Sequence, residues 1–195
     1  MRVNLKYFQL LTDAIIPLLG YFLWNWNLYF IVLFYLLDYL AYEVFSHIKA
    51  NKVQTTLKRE QSIAWLKLGI VSALLFIVNC VLVQLTMKAI VPTIDFTKEL
   101  SAFWNYKDMG IEQGYFLLPL IAFAGYQRYK MEFLMTGLVQ KISIHQIFTK
   151  HIQAQLIAFG FIAFTFGLSF LIVFPEIVYV LGIVLFTGLY QFFRK

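Results

Sequence analysis

Three side chains capable of proton or metal chemistry fall on one apolar stretch, residues 27–51 (NLYFIVLFYLLDYLAYEVFSHIKAN): Asp38, Glu43 and His47. A carboxylate inside a helix of this character costs about 2.5–3.5 kcal/mol on insertion scales, so it turns toward protein or water and not toward lipid. Asp38 lies eleven residues into the stretch, roughly 16 Å along a helix and so near mid-membrane. At about 100° per residue, Tyr35 and Tyr42 share the face of Asp38, whereas Glu43 points about 140° away, close to Tyr39 and His47. The two acids look in different directions, which argues against a paired-carboxylate catalytic site within this helix. Each is then either a proton-responsive or cation-binding acid, or a structural one bonded to tyrosines and amides of neighbouring helices. The structural role is the default for Asp38, and more so for Glu43, which sits nearer the membrane surface.

Other polar residues embedded in apolar surroundings are Asp13, Asn79 and Gln84. With Asp38 and Glu43 they form the set of ligand- or proton-responsive positions. Glu43 and His47, four residues apart, supply half of a weak metal-ligand set that His145 and His151 would complete from the same membrane side. The spacing fits no diagnostic metal pattern, and no metal is expected. The three histidines fall at or beyond span ends, which disfavours a b-type haem. No cofactor can be named. Gly167–Ser169 (GLS) has part of the serine motif of six-span rhomboid proteases, but the full Gly-x-Ser-Gly is missing and no histidine follows in the last span to serve as base. There is no phosphate-cradling glycine loop and no His-Glu-x-x-His helix. No residue set argues for an enzyme.

The elements that must position these residues follow from composition. Of 195 residues, 61% are apolar, 19% aromatic and 13% charged, against about 25% charged in soluble domains. At about 20 residues per crossing, the apolar segments divide into six transmembrane helices, approximately 8–23, 27–47, 63–86, 111–126, 152–174 and 176–193, forming one all-α, polytopic domain over 1–195. Pro17 interrupts the first, and Trp24-Asn25-Trp26-Asn27 forms an interfacial hairpin of the kind aromatic belts use. Residues 49–61 read as a polar loop, and residues 87–110 as a connection carrying a re-entrant or interfacial helix. Phe133–Val139 and Ile142–Phe148 read as amphipathic segments on the membrane surface. Ala158, Gly160, Ala163 and Gly167 offer a small-residue face for helix contact. The first apolar segment lacks a small-residue cleavage site and reads as a retained span. The single cysteine, Cys80, excludes an intramolecular disulfide.

Orientation follows from charge. Six spans place Arg2, Lys6, Lys49, Lys52, Lys58, Arg59, Arg128, Lys130, Lys141, Lys150, Arg194 and Lys195 on one side, and Lys88, Lys98 and Lys107 on the other. Twelve against three puts both termini in the cytoplasm by the positive-inside rule, and an odd number of spans would destroy the asymmetry. The net charge of +6 is thereby a membrane-orientation signal, and nucleic acid is not an expected partner because no basic stripe accompanies a folded soluble surface.

One resemblance adds to this. Ile16-Pro17-Leu18-Leu19-Gly20, then Trp24 or Trp26, then Leu33-Phe34-Tyr35-Leu36-Leu37-Asp38 and a helix ending Phe45-Ser46-His47-Ile48-Lys49, resemble an uncharacterised family of bacterial six-span membrane proteins. Members carry Pro-Leu-x-Gly, a Trp and Leu-Tyr-Trp-Leu-Glu-Asn in that order. Here Phe34-Tyr35 stands for Tyr-Trp, Asp38 for the Glu and Tyr39 for the Asn. The layout around Lys150-His151 and the last two spans is similar as well. The resemblance implies architecture and a role for Asp38 beyond packing; it implies no activity. The expected protein is therefore a multi-pass bacterial inner-membrane component. Its partners are the lipid bilayer and other membrane-protein subunits, among which it serves as an accessory or structural subunit without enzymatic activity. The alternative is a small transporter or substrate-binding membrane module in which Asp38, with Asn79 and Gln84, lines a mid-membrane polar cavity.

Overall fold

The computed structural model describes residues 5–57, 62–106 and 112–193, with side chains from 14 to 56, 65 to 106 and 112 to 188. Every regular element among the described residues is a helix. In chain order these are α1 (Leu5–Leu23), α2 (Leu28–Leu57), α3 (Ser62–Ile90), α4 (Phe96–Asn105) and α5 (Gln113–Arg128), then a π-helical segment (Tyr129–Leu134), α6 (Leu138–Lys141), α7 (Ile144–Ser169) and α8 (Glu176–Phe193). Among the described residues, three stretches are long and apolar enough to cross a membrane: Leu28–Thr56, Trp65–Ile90 and Ile144–Ser169. Ala14–Leu23 and Glu176–Gly188 are shorter apolar helices.

α2 is the axis of the bundle, touching every other helix, while α3 packs mainly along α7, α1 against α8 and α4 against α5. Its start is fixed from three directions. Asn27 caps it by accepting from Phe30 N (2.8 Å), and its Nδ2 donates to Glu99 of α4 (2.8 Å). Glu176, the first residue of α8, accepts from Leu28 N (2.6 Å). Helix N-termini leave backbone donors unsatisfied and carry a partial positive charge, so amide and carboxylate oxygens are the groups suited to this position.

Two apolar clusters lie along α2. The first gathers Trp26, Leu28, Phe30, Ile31 and Phe34 with Phe103 of α4, Leu117 and Ile121 of α5, and Tyr179 and Val180 of α8. The second gathers Ala50 and Val53 with Tyr129, Phe133, Val139, Ile144, Ile147 and Phe148.

This second cluster corrects two expectations. The segment after residue 48 is not a loop: α2 continues without break to Leu57. No glycine or proline interrupts it, and Ala50 and Val53 are buried. Phe133–Val139 and Ile142–Phe148 do not form separate amphipathic helices. The first spans the end of the π-helical segment and the start of α6, and the second opens α7 eight residues before the expected start of its span. Their apolar faces pack on the extension of α2. α7 also ends earlier than expected, at Ser169. Its glycines Gly160 and Gly167 meet nothing within 4 Å of a built Cβ, so they mediate no close contact among the described residues. Within 87–110 the expected short helix is present as α4, capped by Asp95, which accepts from Thr97 N and Lys98 N.

The first hairpin turns through Asn25 at φ 49°, a left-handed conformation that asparagine tolerates better than most residues. Trp26 N then donates to Gly20 O at 2.9 Å, and the indole lies on Gly20 so closely that a Cβ there would stand 2.3 Å from the ring. Gly20→Ala is expected to cost about 1–3 kcal/mol, the range for overpacking, with partial recovery on adding Trp26→Leu. Thermal unfolding in detergent of the single and double variants checks this; equal stability of wild type and Gly20→Ala would contradict it.

Candidate functional site

Between its two apolar clusters, α2 carries its polar residues, and they serve two separate arrangements. The first is centred on Glu43, which is buried. Ser72 Oγ lies 2.8 Å from both carboxylate oxygens, so its one proton is shared between them. Gln155 Nε2 donates to Oε2 at 2.8 Å. His151 Nε2 bonds the same oxygen, and His47 Nε2 approaches Oε1 at 3.1 Å. An ionised carboxylate only accepts, so with Glu43 in that form each imidazole facing it would carry a proton on Nε2. Ser72, His151 and Gln155 are fully buried, whereas His47 keeps a third of its side chain exposed. The Glu43 carboxylate thus has one edge toward the outside of the bundle.

Each of three helices brings a pair of residues one turn apart to this centre: Glu43 and His47 from α2, Gly69 and Ser72 from α3, His151 and Gln155 from α7. Gly69 is needed for space. A Cβ there would come within 2.9 Å of His47 Cε1. The ring of Tyr42 covers His151 edge-on at 4.6 Å, and Phe148 does the same for His47 at 5.2 Å. On α3 the buried polar residues recur at intervals of seven, Ser72, Asn79 and Thr86, while Leu66, Leu74, Ile77, Val81 and Leu85 are exposed on its other faces.

The second arrangement belongs to Asp38. Arg128, the last residue of α5, reaches back from the basic segment in which sequence alone places it and donates from Nη2 to Asp38 Oδ1 at 2.6 Å. Both side chains are largely buried. Asp38 stands on the wall of a half-open cavity of about 390 Å³ among α2, α3, α7 and α8, which Tyr39, Tyr42 and Asn79 also line. Small-molecule sites fall in the range of about 300–1,000 Å³. Asn79 Nδ2 donates to Tyr39 Oη at 2.9 Å and to Gln155 O at 3.3 Å, so the amide joins the cavity to the helix that carries the Glu43 partners.

Of the residues singled out in the sequence, Asp38 and Asn79 share the cavity. Gln84 is absent from its lining and accepts instead from Tyr29 Oη at 3.0 Å. Asp13 lies in α1, but its side chain is outside those described. Three of the four weak metal candidates, Glu43, His47 and His151, converge, while His145 is exposed and bonds Thr149 one turn on (3.2 Å). Among the described residues no group of three His, Cys, Asp or Glu has the geometry to hold a metal ion. Sequence reasoning missed Ser72, Gln155 and Arg128. The four-residue spacing of His151 and Gln155 on an apolar helix was a readable signal for the second of these.

Comparison with known proteins adds no relative: no family model matches the chain, and neither a curated protein nor a solved structure matches it.

The Glu43 centre holds α2, α3 and α7 together, and removing its acceptor strands the buried donors of Ser72, His151 and Gln155. Glu43→Leu is expected to cost about 3–5 kcal/mol, as for other broken buried charge pairs, and Ser72→Ala about 1 kcal/mol. Because Glu43 and His151 act on one bond, the double variant Glu43→Leu/His151→Leu should lose less than the sum of the singles. Unfolding in detergent measures all four; strict additivity would show that the two side chains act independently.

Proposed function

We propose that this chain is a six-span bacterial inner-membrane protein with both termini in the cytoplasm, and that it binds a hydrophobic small molecule in the cavity beside Asp38. The cavity carries this reading: four helices surround it, its lining is overwhelmingly apolar, and Asp38, Tyr39 and Asn79 are among the polar residues on its wall. An intramembrane acid paired with an arginine from another helix is the form in which charge is tolerated at this depth. The pair either binds part of the ligand or opens when it arrives. Transport is the natural extension, because a cavity partly open within the bilayer exchanges with it.

Topology supports the reading through the charge asymmetry and through a helix at each of the six expected span positions, three of them long enough for a crossing on their own. In a Cys80→Ser background, cysteines introduced at Lys52 and Lys141 should react with an impermeant thiol reagent from the cytoplasmic side, and one at Lys98 from the other. Labelling of all three from one side would reject the six-span arrangement.

A second reading, an accessory subunit of a larger membrane assembly, is favoured by one observation. α5 leaves Tyr115, Phe116, Phe123 and Tyr126 exposed along its length, an aromatic-rich face of the kind that protein contacts use. Gentle purification of the tagged chain separates the two. A small molecule retained stoichiometrically by wild type and lost in Asp38→Asn is the expected result. A stoichiometric protein partner, with no retained small molecule in either form, would replace the first reading by the second.

A further inference from the structure

Three titratable side chains meet at the Glu43 centre, and they differ in burial. Glu43 and His151 are enclosed, with 7% and 1% of their side chains exposed, whereas His47 keeps 34%. On the reading of α2 as a membrane span, His47 sits at the end of the crossing. It stands nineteen residues after Leu28, where α2 begins. That is about 28 Å along the helix, the depth at which a hydrocarbon core of about 30 Å gives way to headgroups and water. Lys49 and Lys52 follow on the same helix, and Glu43 lies one turn deeper. The carboxylate meets the two imidazoles through different oxygens, Oε1 toward His47 Nε2 at 3.1 Å and Oε2 toward His151 Nε2. A continuous row of ionisable groups therefore runs from the membrane boundary into the bundle.

Charge decides what such a row can do. With both imidazoles neutral, an ionised Glu43 leaves a net negative charge on the centre, which a dry interior strongly disfavours. Of the other titratable groups on the elements around it, Arg128 of α5 pairs with Asp38 at 2.6 Å, and Lys49 lies over the rings of Tyr42 and Phe133 at 6.0 and 5.9 Å. Tyr42 sets its ring against His151, while Lys67 of α3 and Lys150 of α7 are exposed. Ser72 and Gln155 hold the carboxylate at 2.8 Å and do not titrate. We infer that Glu43, His47 and His151 form a proton-binding site that loads from the membrane boundary through His47 and titrates as one unit. A proton arriving on His47 Nδ1 releases the Nε2 hydrogen to Glu43 Oε1. The ring ends neutral with its hydrogen on Nδ1, the carboxyl is discharged, and one proton has entered the centre. Oε2 loses its charge in the same event, so the hydrogen bond of His151 changes together with that of His47.

The test is imidazole nitrogen NMR of the histidine-labelled full chain in lipid nanodiscs, titrated over about pH 5–9. The chain has three histidines, and His145→Gln removes the exposed one, which lies outside the centre and bonds Thr149. In that background the signals of His47 and His151 should move in one shared step. Glu43→Gln keeps the shape of the side chain and cannot ionise, so it should split the step or displace it by about one pH unit or more. His47→Leu removes the boundary end of the row and should abolish the response of His151. Separate steps for the two histidines, or a His151 signal that never changes, would overturn the inference before the centre itself is altered. So would a step that stays in place in Glu43→Gln, or an unchanged His151 response in His47→Leu. Cysteine labelling at Lys52 reports on topology alone, so failure of the six-span arrangement and failure of the proton site are told apart.

Discussion

A carboxylate buried in an apolar helical bundle must be fully hydrogen-bonded or be discharged, and much of this fold can be read as the way Glu43 meets that requirement. The ionised form offers two oxygens with about four acceptor positions, and Ser72, Gln155, His151 and His47 fill them. The donors come from α3 and α7 as well as from α2 itself, so satisfying one charge fixes the relative depth and rotation of three helices. In a bilayer, apolar contacts alone specify such register weakly, because lipid tails solvate a leucine as well as a neighbouring helix does. The polar centre supplies the specificity that greasy surfaces cannot.

The two acids of α2 show how neighbours five residues apart can live in different chemistry. Asp38 faces α5 and receives a guanidinium; Glu43 faces α3 and α7 and receives imidazole, hydroxyl and amide. The first is a charge pair at the edge of a cavity. The second is embedded among three helices, and its disturbance would be felt by all of them. Position along the helix places Glu43 nearer a membrane surface than Asp38, and that says nothing about how far each side chain is enclosed by protein. Glu43 is the more deeply buried residue, because α2 runs on past His47 instead of ending there.

Helical class, the positions of the apolar helices and the short helix at Phe96–Asn105 were legible from apolar run lengths and punctuation such as Pro92 and Pro175. So was the divergence of Asp38 and Glu43, which depends only on helical period. What could not be read were contacts spanning large sequence separations. Nothing local to Arg128 says that it reaches Asp38, ninety residues earlier, and a basic residue after an apolar span is ordinarily a loop charge. The continuation of α2 through Leu57 failed for a related reason. Lysine, glutamine and threonine there signal solvent, but Ala50 and Val53 are buried by partners such as Tyr129 and Phe148, far along the chain. His145 and His151 looked equivalent by composition, and only the start of α7 at Ile144 separates the exposed one from the buried one.

The seven-residue recurrence of Ser72, Asn79 and Thr86 has a geometric outcome. Seven residues fall short of two full turns, so a straight helix rotates such a series by about 20° at each repeat. Along α3 the row of polar side chains therefore swings by roughly 40° between its first and last member. Ser72 meets the Glu43 carboxylate, Asn79 bridges Tyr39 and the Gln155 backbone, and Thr86 is among the residues that line the cavity. A single stripe, written once in the sequence, is turned by the pitch of the helix from the locked centre of the bundle to the wall of its cavity.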